Sequence, residues 1–194
     1  MGQIAGALIG LVLLFYTAYT PVYLLILDSD VNAVQNATLN DVAFGATDLV
    51  FETTDMTGLR RSQISSVKNM LKEYKKNFEK VCDVDTDMTF EKALKKNKNI
   101  TNISFSEIKS VKMPDGNYAT TVLTEFTFKN DENVKIVSVV KGRKFFNPTL
   151  AKFVRFISMS INDGNSAKDP TLFIAQHIFG VKNTQALQLI VTGM

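Results

Sequence analysis

The chain has 194 residues, and its formal net charge of +3 is too close to neutral to indicate a nucleic-acid partner. Hydrophobic residues make up 45% of the sequence, yet residues 1–27 contain no charged side chain, so the remainder has the composition of one soluble domain. The single cysteine, Cys82, excludes an internal disulfide, so side-chain packing must hold the fold.

The N-terminal segment predicts a membrane anchor. Residues 4–27 read IAGALIGLVLLFYTAYTPVYLLIL. A helix of this length spans about 36 Å, which is enough to cross the hydrocarbon core of a bilayer. We therefore predict a transmembrane helix over residues 1–29, with Tyr16, Tyr19 and Tyr23 as anchors at the membrane interface. No basic residue precedes the apolar run, which disfavours a cleaved signal peptide.

Glycines along the predicted anchor indicate how it packs. Gly2, Gly6 and Gly10 are spaced by four residues and so lie on one helix face, where a second helix can approach closely. Glycine is also frequent in membrane helices that have no such role. The functional interpretation is that several anchors pack side by side. The predicted partners are therefore the membrane and other copies or related subunits.

The charge distribution gives the predicted orientation. The first basic residue is Arg60, and residues 28–55 carry six acidic side chains and no basic one. The positive-inside rule gives almost no information here, because no lysine or arginine lies near either end of the predicted anchor. The acidic segment after the anchor favours a head outside the cytoplasm. We predict a single-pass protein of the cell membrane with an extracytoplasmic head.

The first part of the chain after the anchor predicts a stalk. Residues 31–52 have a weak helical spacing of apolar residues, although Gly45 disfavours a helix interior by about 1 kcal/mol. The segment TTDMTG at residues 53–58 is a break. Residues 30–58 are accordingly predicted as helical stalk and break, and residues 59–194 as an α+β head domain.

An amphipathic helix is predicted over residues 62–80, because apolar residues recur there at three- and four-residue steps. Its apolar stripe comprises Ile64, Val67, Leu71, Tyr74 and Phe78. A shorter helical turn is predicted over Thr89–Lys96. The stripe of the longer helix is expected to pack on the apolar face of the sheet that follows.

That sheet is predicted from three segments rich in β-branched and aromatic residues. They are residues 103–112, 117–128 and 133–140. Turns at Pro114-Asp115-Gly116 and at residues 130–133 connect them, since proline presets φ and glycine permits positive φ. The predicted fold class is α+β, with an antiparallel three-stranded meander packed on helices.

The C-terminal part predicts two helices and a strand. Asn147 and Pro148 resemble a helix cap and first residue, and a helical stripe follows to Ile161. A second helix opens at Asp169-Pro170, continues through Phe179 and ends at Gly180. The tail, residues 186–192, reads ALQLIVT and predicts a terminal strand.

A calcium loop is the best metal-like pattern. Asp83, Asp85 and Asp87 match its first three ligand positions, but Met88 replaces the required glycine and Leu94 the bidentate glutamate. We therefore interpret the three aspartates as a solvated acidic turn and predict no metal and no cofactor.

Catalytic chemistry has equally weak support. Cys82 and His177 are the only residues of their types, and nothing identifies a third group to orient a thiol–imidazole pair, so both are interpreted as structural. No nucleotide or hydrolase motif occurs. We predict that the protein is not an enzyme and has no small-molecule substrate.

Surface features remain open to two interpretations. Two lysine- and arginine-rich clusters could contact anionic lipid or nucleic acid, but such clusters are more often solvated surface, and this net charge disfavours a nucleic-acid partner. They are Lys92, Lys95, Lys96 and Lys98, and Lys141, Arg143 and Lys144. Three glycosylation sequons matter only in a eukaryotic secretory setting. They begin at Asn36, Asn99 and Asn102.

The arrangement of residues 4–80 resembles the TadE-like and related pilin-like, membrane-anchored pseudopilins. The resemblance rests on the anchor IAGALIGLVLLFYTAY, the helix VNAVQNATLNDVAF, the TDMTGL break and the helix SVKNMLKEY. The sequence lacks the basic leader and the anchor glutamate of type IV prepilins. The resemblance implies a structural or assembly role in a pilus, secretion or conjugation apparatus. The alternative is a membrane-tethered extracytoplasmic binding module, or a viral or phage envelope protein.

Overall fold

The computed structural model describes residues 29–53, 58, 60–143 and 147–192. These residues form an α+β fold with one five-stranded antiparallel sheet. Within them, no helix is both long enough and apolar enough to cross a bilayer. The predicted anchor lies outside the described residues. So do its packing and interface positions, Gly2, Gly6, Gly10, Tyr16, Tyr19 and Tyr23.

Four helical segments precede the sheet. They are α1 (residues 29–35), α2 (Leu39–Thr53), α3 (Arg61–Val81) and α4 (Phe90–Lys96). The helix predicted over residues 31–52 is therefore two helices. Thr38 separates them: its backbone N–H donates to the Asp41 carboxylate at 2.8 Å, and the Asp41 N–H donates to the Thr38 hydroxyl at 3.2 Å. This reciprocal capping starts a new helix at Leu39.

The sheet extends the predicted meander. Its strands, in spatial order, are β1 (Ile100–Lys112), β2 (Tyr118–Phe128), β3 (Asn133–Arg143), β4 (Asn147–Ile161) and β5 (Gly164–Asn165). The three predicted strands and both predicted turns are confirmed, and Gly116 adopts a φ of +78° in the first turn. Alternating β2 residues are buried, which defines an inner face with Thr120 and Val122 and an outer face with Thr121 and Leu123.

The helix predicted over residues 147–161 is wrong, because this segment is strand β4. Register shifts in the β3–β4 pairing place an extra β4 residue at Val154 and at Ile157. Each bulge changes the spacing of inward-facing residues from two to three, so that Phe153, Phe156 and Met159 are all buried. The spacing of buried residues in the bulged strand therefore resembles that of an amphipathic helix.

The C-terminal region is helical. Asp169 caps α5 (Pro170–Phe173), which continues into a π-helical turn (Ile174–Ile178) and ends at Gly180, as predicted. The strand predicted for residues 186–192 is wrong, because α6 (Thr184–Thr192) occupies them. The Asn183 side chain accepts hydrogen bonds from two backbone N–H groups at the start of α6, and Ala186 and Ile190, four residues apart, are buried together.

The expected packing of α3 on the sheet is also wrong. Phe78 of α3 meets Phe44 of α2 edge to face, with 5.4 Å between ring centroids, and α3 also contacts α6. The inner face is covered instead by α2, which lies against β4, and by Phe90 of α4, whose ring contacts Phe105 and Phe156. The apolar stripe of α3 serves a helical layer and not the sheet.

Candidate functional site

The first helices of the described chain contact one row of residues that runs across the sheet. Thr120, Val140 and Phe153 lie opposite one another in neighbouring strands, and we call them the proximal row. The Thr120 hydroxyl donates to the Asp30 carboxylate at 2.6 Å. Gly45 of α2 lies against the backbone carbonyl groups of residues 153 and 154. The described chain therefore begins at this end of the sheet.

A buried polar network fixes α1 at the proximal row. Asp30 is 4% exposed and Thr120 is fully buried. Because the Thr120 hydroxyl proton goes to Asp30, Ser110 of β1 donates to the Thr120 oxygen at 3.0 Å. Buried polar groups that are satisfied in this way fix orientation, since separating them leaves unpaired groups away from water. One turn later, Val34 is fully buried as well, so α1 belongs to the core from its second described residue.

Gly45 sets the distance between α2 and the sheet. A Cβ atom at this position would lie 2.7 Å from the Val154 carbonyl oxygen, which is closer than such atoms approach. The absence of a side chain thus allows the α2 backbone to lie directly on β4. Gly45, which the sequence identified only as an unfavourable helix residue, is a packing requirement.

A groove of about 320 Å³ lies beside this contact, between α1, α2 and β4. Small residues form much of its wall, among them Ala33, Ala37 and Ala151. Its two carboxylates already have partners: Asp41 caps α2, and Asp48 pairs with Lys75 at 2.6 Å. The groove therefore offers a shape for a backbone or a small side chain rather than reactive groups.

The β1–β2 turn adds an ion pair at the same end. Lys141 Nζ lies 2.9 Å from the Asp115 carboxylate. The hydrogen bond from Lys141, followed by those from the side chain and backbone of Asn117, lowers the pKa of Asp115 to about 2. Because the pKa of Asp115 is lowered from its ordinary 3.8, the ion pair stabilises the folded protein fully above pH 3.8. This stabilisation is lost as the pH falls through about 2.

We expect the Asp115 carboxyl to titrate near pH 2 in a carbon-detected NMR titration. Lys141→Gln removes the largest cause of the shift, so the pKa of Asp115 should rise toward its ordinary value. Lys135→Gln is the matched control, because Lys135 pairs with Glu125 and Asp163 instead. An unchanged titration in the Lys141 variant would contradict the assignment.

A second groove, of about 450 Å³, opens at the opposite, distal end of the sheet and includes Phe128, Lys129 and His177. The exposed His177 ring packs against Phe173, with 4.6 Å between ring centroids and 33° between ring planes. Cys82 ends α3, where burial raises the pKa of its thiol, the opposite of nucleophile activation. No hydrogen bond joins Cys82 to His177 in the described part of the chain.

The other residues singled out from sequence lie apart from the proximal row. Asp85 accepts a hydrogen bond from the Asp87 backbone N–H at 3.0 Å, a local turn contact. In residues 29–53, 58, 60–143 and 147–192, no three His, Cys, Asp or Glu side chains are arranged to hold a metal ion. The α4 lysine cluster is exposed, and Lys95 pairs with Glu91. The three sequon asparagines, Asn36, Asn99 and Asn102, are exposed too.

Asp30 is the residue that sequence reasoning missed, because it counted only as one of six acidic residues before Arg60. Its position four residues before Val34 was the available signal, since this spacing places both on one helix face. Comparison with known protein families, with characterised proteins and with solved structures yields no match. Function is therefore inferred from the residues and their arrangement.

Proposed function

We propose that the protein is a membrane-anchored structural subunit, similar in role to pilin-like assembly proteins, whose anchors pack laterally with other copies or related subunits. Residues 1–29 supply the anchor, and the head is held outside the cytoplasm. This role requires no catalytic step, no cofactor and no small-molecule substrate.

The observation that carries this proposal is the junction between two parts of the chain. The uncharged run ends at Leu27, and Asp30 is already buried in the head. A long flexible linker would let a tethered binding module move independently of its anchor, whereas a short connection couples the orientations of anchor and head. Only two residues separate Leu27 from Asp30, which favours the assembly subunit.

The head also offers the outer face of its sheet as a surface for assembly. On the outer face of the sheet, Leu123, Val137 and Val139 are half-buried, surrounded by side chains such as Glu125 and Lys135. A membrane-tethered binding module is the alternative, and a deep apolar pocket would favour it. Both grooves of the described head are instead open and partly polar.

Lateral packing can be tested by substitution in the anchor. Gly6→Leu should reduce self-association in a membrane two-hybrid assay by about tenfold, because a leucine side chain fills the groove that Gly2, Gly6 and Gly10 would leave. Ala7→Leu is the matched control, since it adds a leucine about 100° around the helix. Equal association of wild type and Gly6→Leu would count against packing through this face.

A further inference from the structure

The α2–α3 hairpin extends toward the proximal end. Asn40, Phe44 and Asp48 of α2 meet residues 79, 78 and 75 of α3 in that order, so the two helices are antiparallel. Running from Thr38 to Gly45, α2 approaches the proximal row and then continues to Thr53. The first half of α3, from Arg61 onward, therefore lies on the side of the head where residue 29 begins.

This half of α3 carries an exposed basic stripe, which comprises Arg61, Lys68, Lys72 and Lys76. Steps of seven, four and four residues place the four side chains within about 80° of the helix circumference and along about 22 Å of its length. Residues 60–81 contain seven basic and two acidic residues. In the described part of the chain, none of the four has an ion-pair partner, whereas Lys75, outside the stripe, pairs with Asp48.

We infer that this basic stripe rests on the anionic headgroups of the membrane that holds the anchor. The inference depends on the proposed anchoring, because the junction at Asp30 keeps the proximal end of the head close to the bilayer. Basic residues near an anionic leaflet each strengthen binding by about fivefold. Because the hairpin extends toward the proximal end, the head must tilt for all four side chains to reach the headgroups, and the contact thus fixes this tilt.

An acidic protein or a nucleic acid would also attract the stripe, but position favours lipid. The comparable α4 lysine cluster (Lys92, Lys95, Lys96, Lys98) leads to Asn99, whose carbonyl pairs with the Lys129 backbone at the distal end. It also has four exposed basic residues, of which Lys95 pairs with Glu91, but it lies away from the proximal row. Comparing the two clusters therefore distinguishes an effect of position in the head from an effect of basic residues alone.

The test uses the full chain reconstituted in vesicles of phosphatidylcholine, with or without phosphatidylglycerol. Cys82→Ser and Ser65→Cys place one thiol within the stripe, where an uncharged maleimide reports its exposure. Labelling should be about tenfold slower in the anionic vesicles, because headgroups cover the stripe. The difference should vanish in about 1 M salt, where the screening length is about 3 Å.

Two fourfold variants complete the design. Replacing Arg61, Lys68, Lys72 and Lys76 with glutamine should abolish the protection, whereas replacing the four α4 lysines with glutamine should preserve it. Equal labelling in both kinds of vesicle, or equal loss in both variants, would overturn the α3 contact.

Alkaline carbonate separates this inference from the proposed function. A chain that stays in the bilayer but labels equally in both vesicles overturns the α3 contact alone. A chain that carbonate extracts overturns the anchor. In that case, flotation of the wild type with anionic vesicles, lost in the stripe variant, supports the α3 contact, and failure to float overturns it.

Discussion

Gly45→Val should lower the free energy of unfolding of the head by about 3 kcal/mol. The Cβ atom would meet the Val154 carbonyl oxygen at 2.7 Å and the Phe153 carbonyl oxygen at 3.3 Å. Both atoms belong to the backbone of β4, which is held by its ladder to β3, so neither can rotate away. To accept a side chain, α2 must move off the sheet and lose part of its buried contact.

Gly45→Ala tests the sign of this effect. Alanine is the better helix former by about 1 kcal/mol, so propensity alone predicts a more stable protein. Overpacking against β4 predicts a less stable one by about 1–3 kcal/mol. Denaturant unfolding of the full chain in detergent, followed by circular dichroism, measures the difference.

The matched controls are Gly58→Ala and Gly58→Val. No atom lies within 4 Å of a Cβ built at Gly58, so neither substitution should change stability by more than about 0.5 kcal/mol. A stabilising effect of Gly45→Ala would show that α2 can separate from β4 without loss, and the close approach would then have no energetic importance.

The sequence was sufficient to predict elements whose signals are local. The β1–β2–β3 meander follows from β-branched residues and from turn chemistry at Gly116, and the α5 start follows from the Asp169-Pro170 cap. These signals arise within a few residues of one another. No packing partner is needed to interpret them.

Strand β4 could not be predicted in the same way. Val154 and Ile157 belong to a helical stripe in the sequence, yet both are the extra residues of β-bulges in the structure. A bulge shifts the side-chain period from two toward three, and only the pairing with β3 reveals it. The α6 tail was predicted wrongly for another reason: its β-branched residues 190–192 are typical of a strand, whereas the Asn183 cap at its start indicates a helix.

The partners of α3 were also beyond local signals. Its apolar stripe correctly indicates an amphipathic helix, but the stripe does not show which element packs against it. Phe78 meets Phe44, 34 positions earlier in the chain, so the helical layer and the sheet were indistinguishable as partners. The contact of Asp30 with the proximal row could not be predicted for the same reason, since Asp30 and Thr120 are separated by 90 positions.

Asp30→Ala should therefore be the other strongly destabilising substitution, with a loss of about 2–3 kcal/mol. It removes the carboxylate that accepts from the fully buried Thr120 hydroxyl, which then has only Ser110 Oγ, 3.0 Å away, as a side-chain partner. Asp30→Asn retains a carbonyl oxygen and should be tolerated better. Asp83→Ala, at an exposed aspartate, is the matched control and should be nearly neutral.

A double-mutant cycle isolates the bond itself. Thr120→Val removes the hydroxyl while keeping its volume, and combining it with Asp30→Ala should give less than the sum of the two losses by more than about 1 kcal/mol. The same variants test the junction, because loss of the Asp30–Thr120 bond should expose the chain near residue 29 to protease. If Asp30→Ala behaves like Asp83→Ala in both unfolding and proteolysis, the head is not fixed to the proposed anchor through this carboxylate, and the main support for the proposed assembly role is lost.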